Sequence, residues 1–199
     1  MKKQNIFIDF DGTICFDTFW RTAPETLKRK IEDFLFHGGN GETLENWMRG
    51  KLTSEEICKF VALSLEVDFK DVFSIFVADC KTMTVSTDIL RAIDRCRKNN
   101  NVYLITDNMD SFTIYTEPQL KLGQHFDRIY NSADLGILKG DEDESLFIKA
   151  LKDTKSDIKK SILLDNSKSN CEIFKKIGGN SFCVRNENDV LNLLQMLEN

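Results

Sequence analysis

Five short apolar runs constrain this chain more than any other feature: "NIFIDF", "NVYLITDN", "FDRIYNS", "KSILLDN" and "NSFCVR". They are rich in β-formers, continuous rather than alternating, and each is followed by a helical pattern. Strands that are apolar on both faces need cover on both faces. Helices between successive strands supply it and impose parallel pairing, so the expected fold is α/β, with a doubly wound, parallel, five-stranded sheet.

One interval breaks the pattern. From about Cys15 to Thr84 the helical segments "PETLKRKIEDFLFHGG", "ETLENWMRGK", "TSEEICKFVALSLEV" and "DFKDVFSIFVADCKT" follow one another with no convincing strand. Pro24 suits a helix start, and Thr53 or Ser54 before Glu55 and Glu56 suits an N-terminal cap. The expected organisation is a sheet core of residues 1–15 and 85–199 with an all-helical cap, 16–84, inserted after the first strand. "GGNG" at Gly38 to Gly41 reads as a joint inside that insertion.

With 199 residues, a net charge of −5 and 41% hydrophobic residues, the chain fits one globular unit, or one core with a small accessory domain. The acidic balance and the lack of a long lysine or arginine run argue against a nucleic-acid polymer as partner. No stretch is long enough to span a bilayer, and the apolar part of "MKKQNIFIDF" is too short for a secretory signal. Cys15, Cys58, Cys80, Cys96, Cys171 and Cys183 form no Cys-x-x-Cys pair, and only His37 and His125 could join them as ligands. The expectation is a reduced, cytoplasmic protein without a zinc site.

The charged residues sit where the strands end. "IFIDFDGT" carries Asp9 and Asp11 on one side of an extended chain, where their charges repel. In open parallel sheets the ligand crevice lies beyond the carboxyl ends of the strands, at the point where strand order reverses. That rule selects Asp9, Asp11 and Thr13 at the first strand, Thr106, Asp107 and Asn108 at the second, and Asp165, Asn166 and Ser167 at the fourth. Asn170 follows a turn later, and Lys139 in "LGILKGDEDE" is the basic residue nearest the crevice. Three aspartates converging there call for a cation, and hard oxygen ligands with few imidazoles or thiols point to magnesium. A lysine and a threonine hydroxyl suit phosphate oxygens, so the residues suggest magnesium-assisted phosphoryl transfer.

Four motifs in order, "DFDGT", "LITDN", the lysine of "GILKGD" and "ILLDNSKSN", make the chain resemble the haloacid-dehalogenase-like hydrolase superfamily in its phosphatase branch. With the helix-strand pattern the resemblance covers nearly the whole chain and implies a Rossmann-like core. It implies Asp9 as nucleophile, forming an aspartyl-phosphate, and Asp11 as general acid and then base. It implies Mg2+ held by the Asp9 carboxylate, the Asp11 backbone carbonyl and Asp165. It implies Thr106 and Lys139 as binders of the phosphoryl group, with Thr13, Asp107 and Asn108 counted beside them, although Thr13 more simply ties the turn that Gly12 permits. Asn166 and Asn170 stand behind the metal site.

Three positions depart from that family's usual pattern. Asn166 replaces a common second acidic residue, which weakens metal binding; Asp107 stands where asparagine is frequent and repels phosphate unless it points away or helps seat the metal; Gly140 replaces a common proline. Lys121 and Lys168 are the alternatives to Lys139. The implied function is a magnesium-dependent phosphomonoesterase for a small phosphorylated metabolite, a sugar phosphate or a nucleotide. The rivals are a phosphomutase using the same aspartates and a catalytically weak binding or regulatory protein; dehalogenation is disfavoured because it needs neither an acid at Asp11 nor magnesium.

Phe16, Phe19, Trp20 and Arg21 directly follow the catalytic loop and are expected to touch substrate. Trp47, Arg49 and Lys51 loosely resemble a cap turn of that family. Most phenylalanines recur at helical spacing and read as the cap's own core. His37 and His125 read as surface or helix-end residues, and "KGDEDE" and "NEND" as solvated surface.

Overall fold

The computed structural model describes residues 3–142 and 145–198. All five strands are there: β1 (Asn5–Ile8), β2 (Asn101–Thr106), β3 (Arg128–Asn131), β4 (Ser161–Asp165) and β5 (Asn180–Cys183). They form one all-parallel sheet in the order β3-β2-β1-β4-β5. Ile8 pairs with Leu104 on one side and Leu164 on the other. The chain therefore builds outward from β1 to β3, crosses back, and lays β4 and β5 on the far side of β1. That reversal opens a crevice at the carboxyl ends of β1 and β4.

Between β1 and β2 run α1 (Glu25–Glu32), α2 (Gly41–Met48), α3 (Ser54–Leu65), α4 (Phe69–Lys81) and α5 (Thr87–Arg97). After β2 come α6 (Glu117–Leu120) and, beyond β3, α7 (Ser132–Leu135) and α8 (Leu146–Thr154). β4 leads into α9 (Lys168–Lys176) and β5 into α10 (Glu187–Leu197). Among the described residues, no helix is long and apolar enough to cross a membrane.

The period of two along each strand divides the core between the two faces. Ile6 and Ile8 join Val102, Leu104 and Leu164 on one face, packed against Ile89 and Ile93 of α5 and Leu194 of α10. Phe7 joins Tyr103, Ile105 and Leu163 on the other, against Phe147 of α8 and Phe174 of α9. Each such side chain taken out of water contributes about 1.5–3 kcal/mol. This two-sided cover is why the strands carry continuous apolar runs.

α1 to α4 bury a separate cluster that includes Trp20, Ile31, Trp47, Ile57 and Phe76. Met109 and Tyr115, from the segment after β2, complete it from the sheet side. Trp20 adopts a left-handed φ of 52°, rare for a bulky residue. Its indole nitrogen donates to the Val72 carbonyl at 3.1 Å, and its ring lies 4.9 Å from that of Phe76, which hold it there. At α3 the cap is Thr53: it accepts from the Glu56 amide while the Glu56 carboxylate accepts from the Thr53 amide.

Two expected helices are broken. "DSFTIYTEPQLKLGQ" splits into a widened turn (Phe112–Thr116), α6, and a tight turn (Leu122–Gln124) after Lys121, whose φ is 53°. Pro118 lacks the amide that a continuous helix needs, which favours the widened turn before it. α1 likewise widens over Asp33–His37 before Gly38.

Candidate active site

β1 ends at Ile8, earlier than its apolar run suggests, although the Asp9 amide still donates to the Leu164 carbonyl at 2.9 Å. The chain then curls so that the amides of Ile14 and Cys15 both donate to the Phe10 carbonyl, each at 3.0 Å. Gly12 has a φ of 69°, and a Cβ there would lie 2.2 Å from Asn166 Nδ2, so the turn requires glycine on two counts. Thr13 is fully buried; its hydroxyl donates to Asp9 Oδ2 at 3.2 Å and accepts from the Asn166 amide at 3.1 Å. It ties the ends of β1 and β4 together.

Lys139 is buried, with Nζ 2.6 Å from Asp9 Oδ1 and 2.8 Å from Asp165 Oδ2. Lys121 and Lys168, by contrast, are exposed. Asp107 Oδ1 accepts the Lys139 amide at 2.9 Å, so one of its oxygens holds the lysine loop. Asp165 is fixed by the Ser167 amide at 2.8 Å and by Asn170 Nδ2 at 3.2 Å and 3.4 Å. Ser167, rather than Asp165 or Asn166, caps α9.

Asp11 accepts from Asn108 Nδ2 at 2.8 Å. The Asn108 amide donates to Ser132 Oγ at 2.9 Å, and Ser132 Oγ in turn donates to the Met48 carbonyl at 2.7 Å. A chain of hydrogen bonds thus runs from the end of α2 to Asp11. A second link runs from the end of α2 to the loop that carries Lys139: Arg49 Nη1 and Nη2 grip Asp141 Oδ2 and Oδ1 at 2.7 Å and 2.6 Å, and Asp141 Oδ2 accepts the Leu138 amide at 2.9 Å. Neither link was visible in the spacing of the sequence, because each joins residues more than eighty positions apart.

Burial dominates the electrostatics. It pushes the Asp11 carboxyl up to about 7, with the Asp9 charge adding to the effect and Asn108 opposing it. Burial also raises Asp9, to about 6, against the lowering by Lys139. Burial alone would lower the Lys139 ammonium, but Asp9, Asp165 and Asp107 outweigh it and hold it above its ordinary range. Burial raises Asp107 as well. Thr106 Oγ1, buried at the end of β2, has no hydrogen-bond partner among the described residues.

A cavity of about 590 Å³ opens beside Asp11 and Gly12. Phe16 and Phe19 line it as expected, but Trp20 and Arg21 do not. Trp20 is turned into the core of the helical layer, and Arg21 donates to the Asp79 carbonyl at 2.8 Å and to Thr82 Oγ1 at 2.6 Å. Trp47 is also core, its indole donating to Ser54 Oγ at 3.1 Å and to Asp110 Oδ1 at 3.3 Å. The exposed His37 stands on the cavity, and Phe36 and Met109 line it without having been singled out. Met109 directly follows the "TDN" run, the one signal that pointed to it. Within "KGDEDE", Asp143 and Glu144 lie outside the described residues.

The expected acidic cage takes a different form: among the described residues, no three His, Cys, Asp or Glu side chains converge as a metal site. Lys139 stands between Asp9 and Asp165 instead. The donor set still fits magnesium, because that ion takes one or two carboxylates and fills its other positions with water and phosphate oxygens. Three buried or half-buried carboxylates, Asp9, Asp11 and Asp165, meet only one ammonium, which leaves negative charge for a divalent ion to offset.

No family model matches the sequence, and no curated protein does. Solved structures match over the full chain. A HAD family enzyme from Bacteroides thetaiotaomicron, as a magnesium complex, aligns with a TM-score of 0.78 and 18% identity over 98% of this chain and 100% of that one. The same enzyme with magnesium and inorganic phosphate gives 0.69 and 17%, over 90% and 93%. A predicted HAD-like family hydrolase from Porphyromonas gingivalis gives 0.75 and 16%, covering both chains completely. A putative beta-phosphoglucomutase from Thermotoga maritima gives 0.62 and 16%, over 97% and 99%. By its fold, the chain stands with the haloacid-dehalogenase-like hydrolases.

Proposed function

We propose that the chain is a magnesium-dependent phosphomonoesterase that hydrolyses a small phosphorylated metabolite through an aspartyl-phosphate. One observation carries this reading: Lys139 bridges Asp9 and Asp165 while Asp11, with a carboxyl raised to about 7, stands at the cavity beside them. A nucleophile with an adjacent ammonium and an acid that keeps its proton near neutrality are what ester cleavage at phosphorus needs.

In this reading an Asp9 oxygen forms a bond to phosphorus as the ester P–O bond breaks. Asp11 gives its proton to the departing alcohol oxygen. The resulting Asp11 carboxylate then takes a proton from water, whose oxygen attacks phosphorus and displaces Asp9, releasing phosphate. Thr106 Oγ1, which lacks a protein partner, and Lys139 Nζ hold phosphoryl oxygens. Thr13, Asp107 and Asn108 serve by fixing Asp9, the lysine loop and Asp11, and Asn170 by fixing Asp165. The Asp9 and Asp165 carboxylates and the Asp11 carbonyl would hold magnesium, which supplies charge neutralisation at the phosphate. The helical residues 16–84 act as a cap over the core of residues 1–15 and 85–199. Six free thiols are compatible with a reduced, cytoplasmic setting.

The test is phosphate release from a panel of phosphorylated metabolites with magnesium, beside Asp9→Asn and a chelated control. Turnover lost in both controls supports the reading. An isomerised product without net phosphate release favours the phosphomutase alternative, which the likeness to the Thermotoga maritima fold keeps in view. Magnesium binding with no turnover favours a non-catalytic partner.

A further inference from the structure

We infer that the substrate is a phosphate monoester of an alcohol with an apolar body, aromatic or aliphatic, and without a second anionic group. This rests on the phosphomonoesterase reading above and narrows it away from sugar bisphosphates and nucleotides. The cavity beside Asp11 is the space into which a leaving alcohol must extend, since Asp11 is the proton donor. Its wall is made of Phe16, Phe19, Phe36, Met48 and Met109. Phe16 and Phe36 are 48% and 43% exposed, large rings left open to solvent, one from the segment after β1 and one from the segment after α1. Burying such rings against a ligand gains free energy in proportion to the apolar area covered, and methionines adapt their shape to it.

The polar groups on the wall point the same way. Beyond Asp11 and Asp107 they are Asp17, Thr18, Glu32 and His37. No lysine or arginine is among the lining residues. The cations that pair with these wall carboxylates are already engaged: Arg21 lies 3.7 Å from Asp17 and is held by Asp79 and Thr82, and Lys28 lies 3.9 Å from Glu32. A second phosphate would face the Asp17 and Glu32 carboxylates without a basic partner of its own, which disfavours it. A sugar ring would find acceptors in Asp17 and Glu32 but only Thr18 and His37 as side-chain partners that can also donate, and it would cover the phenylalanine and methionine side chains less completely than an apolar body does.

The experiment compares 2-phenylethyl phosphate, glucose 6-phosphate and fructose 1,6-bisphosphate, whose leaving alcohols are of similar basicity, with acetyl phosphate as a control that has almost no leaving-group body. Turnover is measured on the wild type with magnesium. Binding of the same three esters to Asp9→Asn is measured by calorimetry without magnesium. The expected result is a kcat/KM for 2-phenylethyl phosphate about tenfold or more above that for glucose 6-phosphate, carried by KM, with the same order in binding. Phe36→Arg, at an exposed position, should shift the ratio toward the bisphosphate. Equal or better use of glucose 6-phosphate or the bisphosphate overturns the inference. Hydrolysis of acetyl phosphate with no order among the esters sinks it while leaving the phosphatase reading intact. Ordered binding to Asp9→Asn with no turnover of any compound has the opposite meaning, and neither binding nor turnover overturns both.

Discussion

Lys139 Nζ touches Asp9 Oδ1 at 2.6 Å and Asp165 Oδ2 at 2.8 Å, so one ammonium holds together two carboxylates from neighbouring strands. Removing it leaves both carboxylates buried without a counter-ion, which costs about 3–5 kcal/mol where such pairs have been broken. Lys139→Met should therefore abolish turnover and destabilise the protein at pH 8. Part of the loss should return at pH 5, where Asp9, whose carboxyl burial raises to about 6, takes up a proton. Urea denaturation at the two pH values measures this.

Asp11 makes the opposite prediction. Its carboxyl is raised to about 7 in the folded chain, against about 3.9 when unfolded. The folded state thus binds more protons between those values, and stability falls as pH rises from about 4 to 7. In chelated protein, Asp11→Asn should match the wild type at pH 4 and exceed it by roughly 1–3 kcal/mol at pH 8. Equal midpoints at pH 8 would mean that Asp11 is not buried as described.

The same proton should appear in catalysis. Formation of the phosphoenzyme from an alkyl phosphate should fall above about pH 7 as Asp11 ionises, whereas p-nitrophenyl phosphate, whose phenolate leaves unaided, should keep its single-turnover rate there. Rapid-quench measurements across that range distinguish the two.

Magnesium should stabilise the fold. At ten times its dissociation constant it adds about 1.4 kcal/mol to the unfolding free energy. Asp165→Asn should remove the resulting shift in Tm, and EDTA should silence the wild type. A shift that survives Asp165→Asn would locate the cation elsewhere.

Arg49→Met tests the link from α2 to the lysine loop. The ion pair with Asp141 is two-pronged and only partly exposed, so its loss should cost about 1 kcal/mol of stability. Because the same carboxylate holds Leu138, next to Lys139, kcat should fall about tenfold, more than the stability change accounts for. Arg49→Lys, which keeps the charge but not the fork, should recover only part of it.

The sheet was legible because each strand is buried on both faces and so reads as an unbroken apolar run, as Ile6, Phe7 and Ile8 show. Asp9, Asp11, Asp165 and Lys139 were legible because strand ends at a switch point are a short list. What the sequence hid are the contacts made when distant segments meet. Trp20 and Arg21 lie close to the catalytic loop in sequence, but a left-handed φ turns Trp20 into the helical layer's core, and Arg21 serves Asp79 and Thr82. Phe36 and His37 line the cavity from the widened turn that follows α1, which reads in the sequence as continuous helix. Arg49 read as part of a cap turn and Asp141, within "KGDEDE", as surface charge until the fold brings them together.

Two threads leave the end of α2, one through Ser132 and Asn108 to Asp11 and one through Asp141 to the loop that carries Lys139. Any motion that lifts α2 from the sheet loosens both threads at once. A half-open cleft then holds neither a placed acid nor a placed lysine, and readiness for reaction is all-or-none with respect to opening. Under the proposed function, a molecule too bulky to let the layers meet would encounter a site that is disarmed, so the fit between the layers would itself select what reacts.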